Sequence, residues 1–170
     1  MMRKLIALLM LCFALLNANA IRLESGSLKE LAKAREARFE VDYSNAVIHG
    51  MSEEEFAQYE LDWDKDQPVI IAKFLGTLND RTGDYLMVAK GKNAPLTLRW
   101  VVLKINTHGD ITSELHVIAE DGTILANIIE LNAEGGTFGT KLNLIKDGAE
   151  ESGKRAGSYL KRQLKKALKD

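Results

Sequence analysis

The chain has little of several things from which folds and active sites are commonly built. In 170 residues it holds one cysteine, two prolines and three histidines, and aromatic residues make up 6%. A single thiol closes no disulfide within the chain and builds no multi-cysteine metal site. His49, His108 and His116 stand apart with no i, i+4 pair, so the intervals of a zinc site are missing. There is no Gly-x-Ser-x-Gly elbow and no Ser-Lys spacing that nominates a nucleophile. No apolar run reaches the ~20 residues of a membrane-spanning helix. Internal repeats, low-complexity tracts and a second domain are also missing, and one domain is the natural count.

What is present begins at the N-terminus. Arg3 and Lys4 precede an apolar stretch from Leu5 to Leu16, and Ala18-Asn19-Ala20 supplies small residues for a signal peptidase. Residues 1–20 therefore read as a secretory signal peptide, leaving 21–170 as a single globular domain. Cleavage after Ala20 removes Cys12, and the loss of Arg3 and Lys4 takes the formal charge from −1 to −3. Cys12 as a lipid acceptor is the competing reading. It wants small residues before the cysteine, whereas Met10 and Leu11 stand there and Phe13 to Leu16 continue the run.

Ser27-Leu28-Lys29-Glu30 fits a capping box, so a short helical turn is expected at about Leu28 to Ala34. Arg38 to Tyr43 alternates charged and apolar residues, the period of a half-buried strand, which Ala46-Val47-Ile48 prolongs. Ser52 and Glu55 form a second capping box, with Met51 and Phe56 placed as a hydrophobic staple. This helix is expected to reach Asp62 and to bury Phe56, Tyr59 and Trp63. Asp64-Lys65-Asp66 reads as a break, with Pro68 opening a further helix to about Leu78 and a turn at Asn79 to Gly83.

The second half changes period. Tyr85 to Ala89 is a short strand, and Leu96 to Asn106, Ile111 to Ala119 and Ile124 to Leu131 read as an antiparallel meander. The second of its turns is Glu120-Asp121-Gly122-Thr123, where Asp-Gly supplies positive φ angles. After a Gly-rich loop from Asn132 to Thr140, apolar residues recur at threes and fours from Leu142 to Leu168, a long helix that Gly148 or Gly153 would break or kink. The fold class expected is α+β: a mixed or mostly antiparallel sheet of four to five strands, covered by helices on one face, with a C-terminal helix.

Three patterns are candidate sites. Asp62-Trp63-Asp64-Lys65-Asp66 has the alternating carboxylates of a calcium loop, but Gln67 and Lys73 occupy the positions that need glycine and glutamate, so a polar turn capped by Asp66 is the better reading. Gly135-Gly136-Thr137-Phe138-Gly139-Thr140 lies between strand and helix like a phosphate loop, yet Lys141 falls one residue too late. It reads as a flexible connection whose Phe138 offers a ligand an apolar contact. The third is the last helix, where Lys154, Arg155, Lys161, Arg162, Lys165, Lys166 and Lys169 collect in a chain that is acidic overall. Cations favour a helix C-terminus in any case. As a site, this face suits an anionic lipid headgroup, an envelope polymer or an acidic protein.

The strand Phe39-Glu40-Val41-Asp42-Tyr43-Ser44, the run Gly50-Met51-Ser52-Glu53-Glu54-Glu55-Phe56 and the Asp62-Trp63 that follows are similar to segments of small exported proteins of unknown function from gut Bacteroidetes. The resemblance covers most of residues 36–168. It implies an α/β sandwich domain in the cell envelope or outside the cell, and it brings no catalytic residues.

The expectation is thus an exported binding or accessory protein, periplasmic or extracellular, without catalytic activity. Its candidate binding residues are Lys154, Arg155, Lys161, Arg162, Lys165 and Phe138. No cofactor, metal or nucleic acid is implied. Partners are an envelope protein, a glycan or an anionic lipid surface. The alternative is a small secreted hydrolase acting on glycans or peptides through a carboxylate pair.

Overall fold

Residues 96–133 carry the densest β-branched and apolar alternation in the chain, and they form the centre of the molecule. In a computed structural model describing residues 20–169, they make three antiparallel strands. These are β5 (Leu96–Ile105), β6 (Ile111–Ala119) and β7 (Ile124–Ala133), numbered in chain order. The remaining strands are β1 (Arg22–Gly26), β2 (Glu36–Asp42), β3 (Val47–Ile48) and β4 (Met87–Ala89). The helices are α1 (Lys29–Ala34), α2 (Glu53–Tyr59), α3 (Trp63–Thr82) and α4 (Lys141–Ala167). Cys12 and, apart from Ala20, the expected signal peptide fall in residues 1–19, outside the described residues.

The sheet order is β1-β7-β6-β5-β2-β4, with β3 also paired to β5. One half is antiparallel; the other, where β2 and β3 lie along β5 and β4 lies along β2, is parallel. Parallel neighbours need a crossover, and α2 and α3 supply it between β3 and β4. The α+β architecture with a C-terminal helix is as the sequence implies, but the sheet has seven strands. The added ones are short or lie at the edge. All five residues of β1 are exposed, so no apolar alternation marks it.

The core lies on the helix side of the sheet. Leu98, Trp100 and Val102 of β5, Leu115 and Val117 of β6 and Ile128 and Leu131 of β7 are fully buried there. Trp100 stacks on Phe74 of α3 with ring centroids 4.0 Å apart, and edge contacts continue through Tyr43 to Trp63 and Phe56. Each such side chain contributes roughly 1.5–3 kcal/mol by leaving water.

Several local expectations are corrected. The Ser52–Glu55 capping box forms in full, but α2 stops at Tyr59, which is 57% exposed. Trp63 is 1% exposed and opens α3 instead, so Asp64-Lys65-Asp66 is a first turn and no break. Pro68 then lies inside α3. An interior proline costs about 3 kcal/mol in an isolated helix, and burying Trp63 on the Ile70–Phe74–Leu78 stripe offsets that cost. Ser27 does not close a capping box. Its hydroxyl accepts the Lys29 N–H at 3.2 Å, while Glu30 pairs with Lys33. In the Glu120–Thr123 turn only Gly122 has a positive φ; the Asp121 carboxylate instead accepts the Thr123 N–H at 2.9 Å.

α4 runs unbroken past both glycines. A Cβ on Gly153 would collide with the Phe74 carbonyl and the Thr77 hydroxyl, and one on Gly157 would lie 2.6 Å from the Leu78 carbonyl. These glycines bring α3 and α4 backbone to backbone, and that contact outweighs their poor helix propensity.

Candidate functional site

Polar side chains gather on the bare face of the sheet and along the solvent side of α4. On the bare face, Glu40 pairs with Arg99 at 2.9 Å and with Arg38 at 3.3 Å, His116 meets Glu114 at 3.1 Å, and Asn127 donates to Glu24 at 3.0 Å. Cross-strand register places Glu40, Arg99, His116 and Asn127 in one row. The charges of that row satisfy one another.

The side of α4 nearest the sheet edge differs. A cavity of about 450 Å³ opens there, lined by Arg81 of α3, Lys154, Arg155 and Arg162 of α4, and the carboxylates Glu130 and Glu151. It exists because β1 is shorter than β7. Their pairing stops at Arg22 opposite Ile129. The next residue, Glu130, takes a left-handed conformation at φ 61°, where β7 slips register against β6. Leu131 to Ala133 rejoin β6, so the groove's floor is a strand edge with no strand outside it among the described residues.

Within the groove the central charges are matched. Lys154 lies 3.5 Å from Glu151 and 3.8 Å from Glu150, Arg155 donates to Glu151 at 3.2 Å, and Lys73 donates to Glu150 at 2.9 Å. The Lys73 bond holds the Glu150 carboxyl below the usual carboxylate range, and in turn raises the lysine. Arg81 and Arg162 have no ion-pair partner among the described residues, and neither do Glu134 and Asp147, which line a second cavity that adjoins the first at Glu151 and Lys154 and extends the groove along α4.

Of the residues expected from sequence, Lys154, Arg155 and Arg162 come together in this groove. Lys161 does not; its ammonium sits 5.9 Å above the Tyr85 ring. Lys165 is exposed on the last turns. Phe138 is 88% exposed in the loop before α4, more than twenty residues from Arg162. Sequence reading missed Arg81, assigned to a turn, and Glu130. Extending the Ile70–Phe74–Leu78 period one more turn would have kept Arg81 on α3.

The other two patterns also have definite places. The carboxylate of Asp66, expected as a cap, is instead 2.7 Å from the Lys146 ammonium, and Asp62 and Asp64 are exposed. In the Gly-rich loop the Gly135 N–H already donates to Asp110 at 2.7 Å, which with Asn106 keeps that carboxyl low. His49 packs on the Phe56 ring, and burial, with Lys141 nearby, lowers its pKa. Among the described residues no group of three or more His, Cys, Asp or Glu side chains is arranged for a metal, and no helix is long and apolar enough to cross a membrane.

Fold and site together define a class: an α+β domain whose mixed sheet bears helices on one face, with a charged groove along the C-terminal helix. No protein-family model matches the chain, and neither does any curated protein. Among solved structures it is similar to the PelC dodecamer from Paraburkholderia phytofirmans, at 12% identity and a TM-score of 0.45 over 80% of this chain and 97% of that one. A point variant of the same dodecamer in another crystal form gives 14% and 0.44, over 84% and 98%. Likeness at that level assigns no role to this chain.

Proposed function

We propose that this chain is an exported, non-catalytic binding or accessory protein of the cell envelope, akin to the small exported Bacteroidetes proteins it resembles, and that it holds an anionic group of its partner in the α4 groove. The observation that carries this is the convergence of Arg81 and Arg162, from two helices, on one cavity with neither guanidinium paired among the described residues. An unpaired guanidinium offers a planar fork of donors that matches carboxylate or phosphate.

Two carboxylates beside the groove are poorly suited to general acid catalysis. A general acid needs its pKa raised toward the working pH. Glu150 and Asp110, beside the groove, are both shifted the other way by donated hydrogen bonds.

The test has two parts. Mass measurement of the chain recovered from its native cells should give a polypeptide beginning at Ile21; a full-length chain in the cytosol would overturn the export part. Envelope fragments retained by the immobilised chain should be anionic, and Arg81→Ala with Arg162→Ala should reduce their retention at least about tenfold. Turnover of a glycan or peptide substrate, abolished by Glu151→Gln or another single carboxylate change, would favour the hydrolase instead.

A further inference from the structure

The groove is polarised, and its floor is a strand edge. We infer that its ligand is an extended peptide segment with a free C-terminal carboxylate, laid antiparallel on β7 in line with β1; this deepens the binding role proposed above and rests on it.

The α4 wall carries Asp147, Glu151, Arg155, Ser158 and Arg162 at steps of three and four, one stripe of a helix. Asp147 and Arg162 are about 22 Å apart along the axis, the span of about six or seven residues of extended chain. The charges in the middle neutralise one another. What is left over is cationic at one end, Arg81 and Arg162, and anionic at the other, Glu134 and Asp147. A ligand that satisfies both ends is zwitterionic along its length.

The floor selects among such ligands. Leu131, Asn132 and Ala133 pair with β6 on one side, and no strand lies on their other side among the described residues. Backbone N–H and C=O groups at a sheet edge are a template for another strand. Glycan sites commonly offer aromatic faces, and the side chains lining this groove include none. Direction follows from topology. β1 runs antiparallel to β7 and its first pair is Arg22 with Ile129. A chain lying ahead of β1 in the same sense enters beside Ala133 and Glu134 and ends beside Glu130. That sets its terminal carboxylate at Arg81 and Arg162, and its upstream cations at Glu134 and Asp147. On the export reading, processing at Ala20 also leaves the Ile21 α-ammonium at the carboxylate end, since Ala20 and Ile21 border the cavity there.

The test uses the chain beginning at Ile21 and a defined heptapeptide pool, with lysine first, alternating threonine and valine, and a free C-terminal carboxylate. Fluorescence anisotropy should show binding, weakened about tenfold by amidating the C-terminus, and Arg162→Ala should shrink the difference between acid and amide. Arg162 is exposed, so this variant should fold. Hydrogen exchange should slow on saturation at those amides among Leu131 to Ala133 that point away from β6. Equal affinity for acid and amide, or unchanged exchange at these amides, overturns the proposal. If the pool fails to bind at about 1 mM while anionic envelope glycans bind in an Arg162-dependent way, the peptide inference falls and the binding role stands; if neither binds, both fall.

Discussion

The two sides of α4 obey different rules. Toward α3 and the sheet it presents Ala149, Ser152, Gly153, Ala156, Gly157 and Leu160, all buried. Toward the groove it presents Asp147, Glu151, Lys154, Arg155 and Arg162, half-buried or exposed. On the inner side the constraint is steric, since one added methyl meets backbone. On the outer side the constraint is charge, which tolerates changes of shape. One helix thus carries two kinds of constraint: packing on one side and, on the function proposed above, recognition on the other.

That division can be broken most forcefully from the inside. Leu160→Ala should cost about 3 kcal/mol, a cavity-forming change in a fully buried position, read as a shift of the urea midpoint at constant slope. Gly153→Val should cost roughly 2 kcal/mol by forcing α4 off the Phe74 carbonyl. Its signature would be loss of near-ultraviolet dichroism from the stacked Trp100 and Phe74 before any loss of helix.

Titration probes the seam between the two sides, where Lys73 of α3 meets Glu150 of α4. The Glu150 pKa is lowered in the fold from an ordinary 4.5. Its contribution is therefore complete above pH 4.5 and lost as pH falls through the lowered folded value. The Lys73 pKa is raised from 10.5, so its share is complete below that pH and lost as pH rises through the raised value. Denaturation curves between pH 5 and 3 should steepen in acid. Glu150→Gln should remove part of that slope, under about 1 kcal/mol because the pair is more than a third exposed. The smallest effect belongs to the outer side. Arg162→Ala should move stability by no more than about 0.5 kcal/mol while reducing anionic ligand binding. If it unfolds the protein, the two sides are not separable.

Reading the sequence succeeded where one local signal dominated. The Ser52–Glu55 box, the β5–β6–β7 meander and the apolar period of α4 each depend on residues close in the chain. It failed where distant residues decide. Trp63 continues the α2 period in sequence, yet it opens α3, and its ring packs edge-on against Tyr43 and against Phe56 of α2. Leu168 continues the α4 period yet is 44% exposed, because it lies at the cap where the helix ends. The groove was half legible. Three of its cations stand out in a basic helix, but Arg81 comes from α3 and Glu130 from a strand bulge, and no spacing in the chain links them.

By itself, then, the sequence determined most of the elements and the apolar side of the long helices, because these follow from residue type and short-range period. Tertiary structure alone decided that β1 ends before β7 does, that Gly153 and Gly157 draw α3 into contact, and that Arg81 and Arg162 face one cavity. Those are distances between residues far apart in the chain, and only the packed sheet and helices set them.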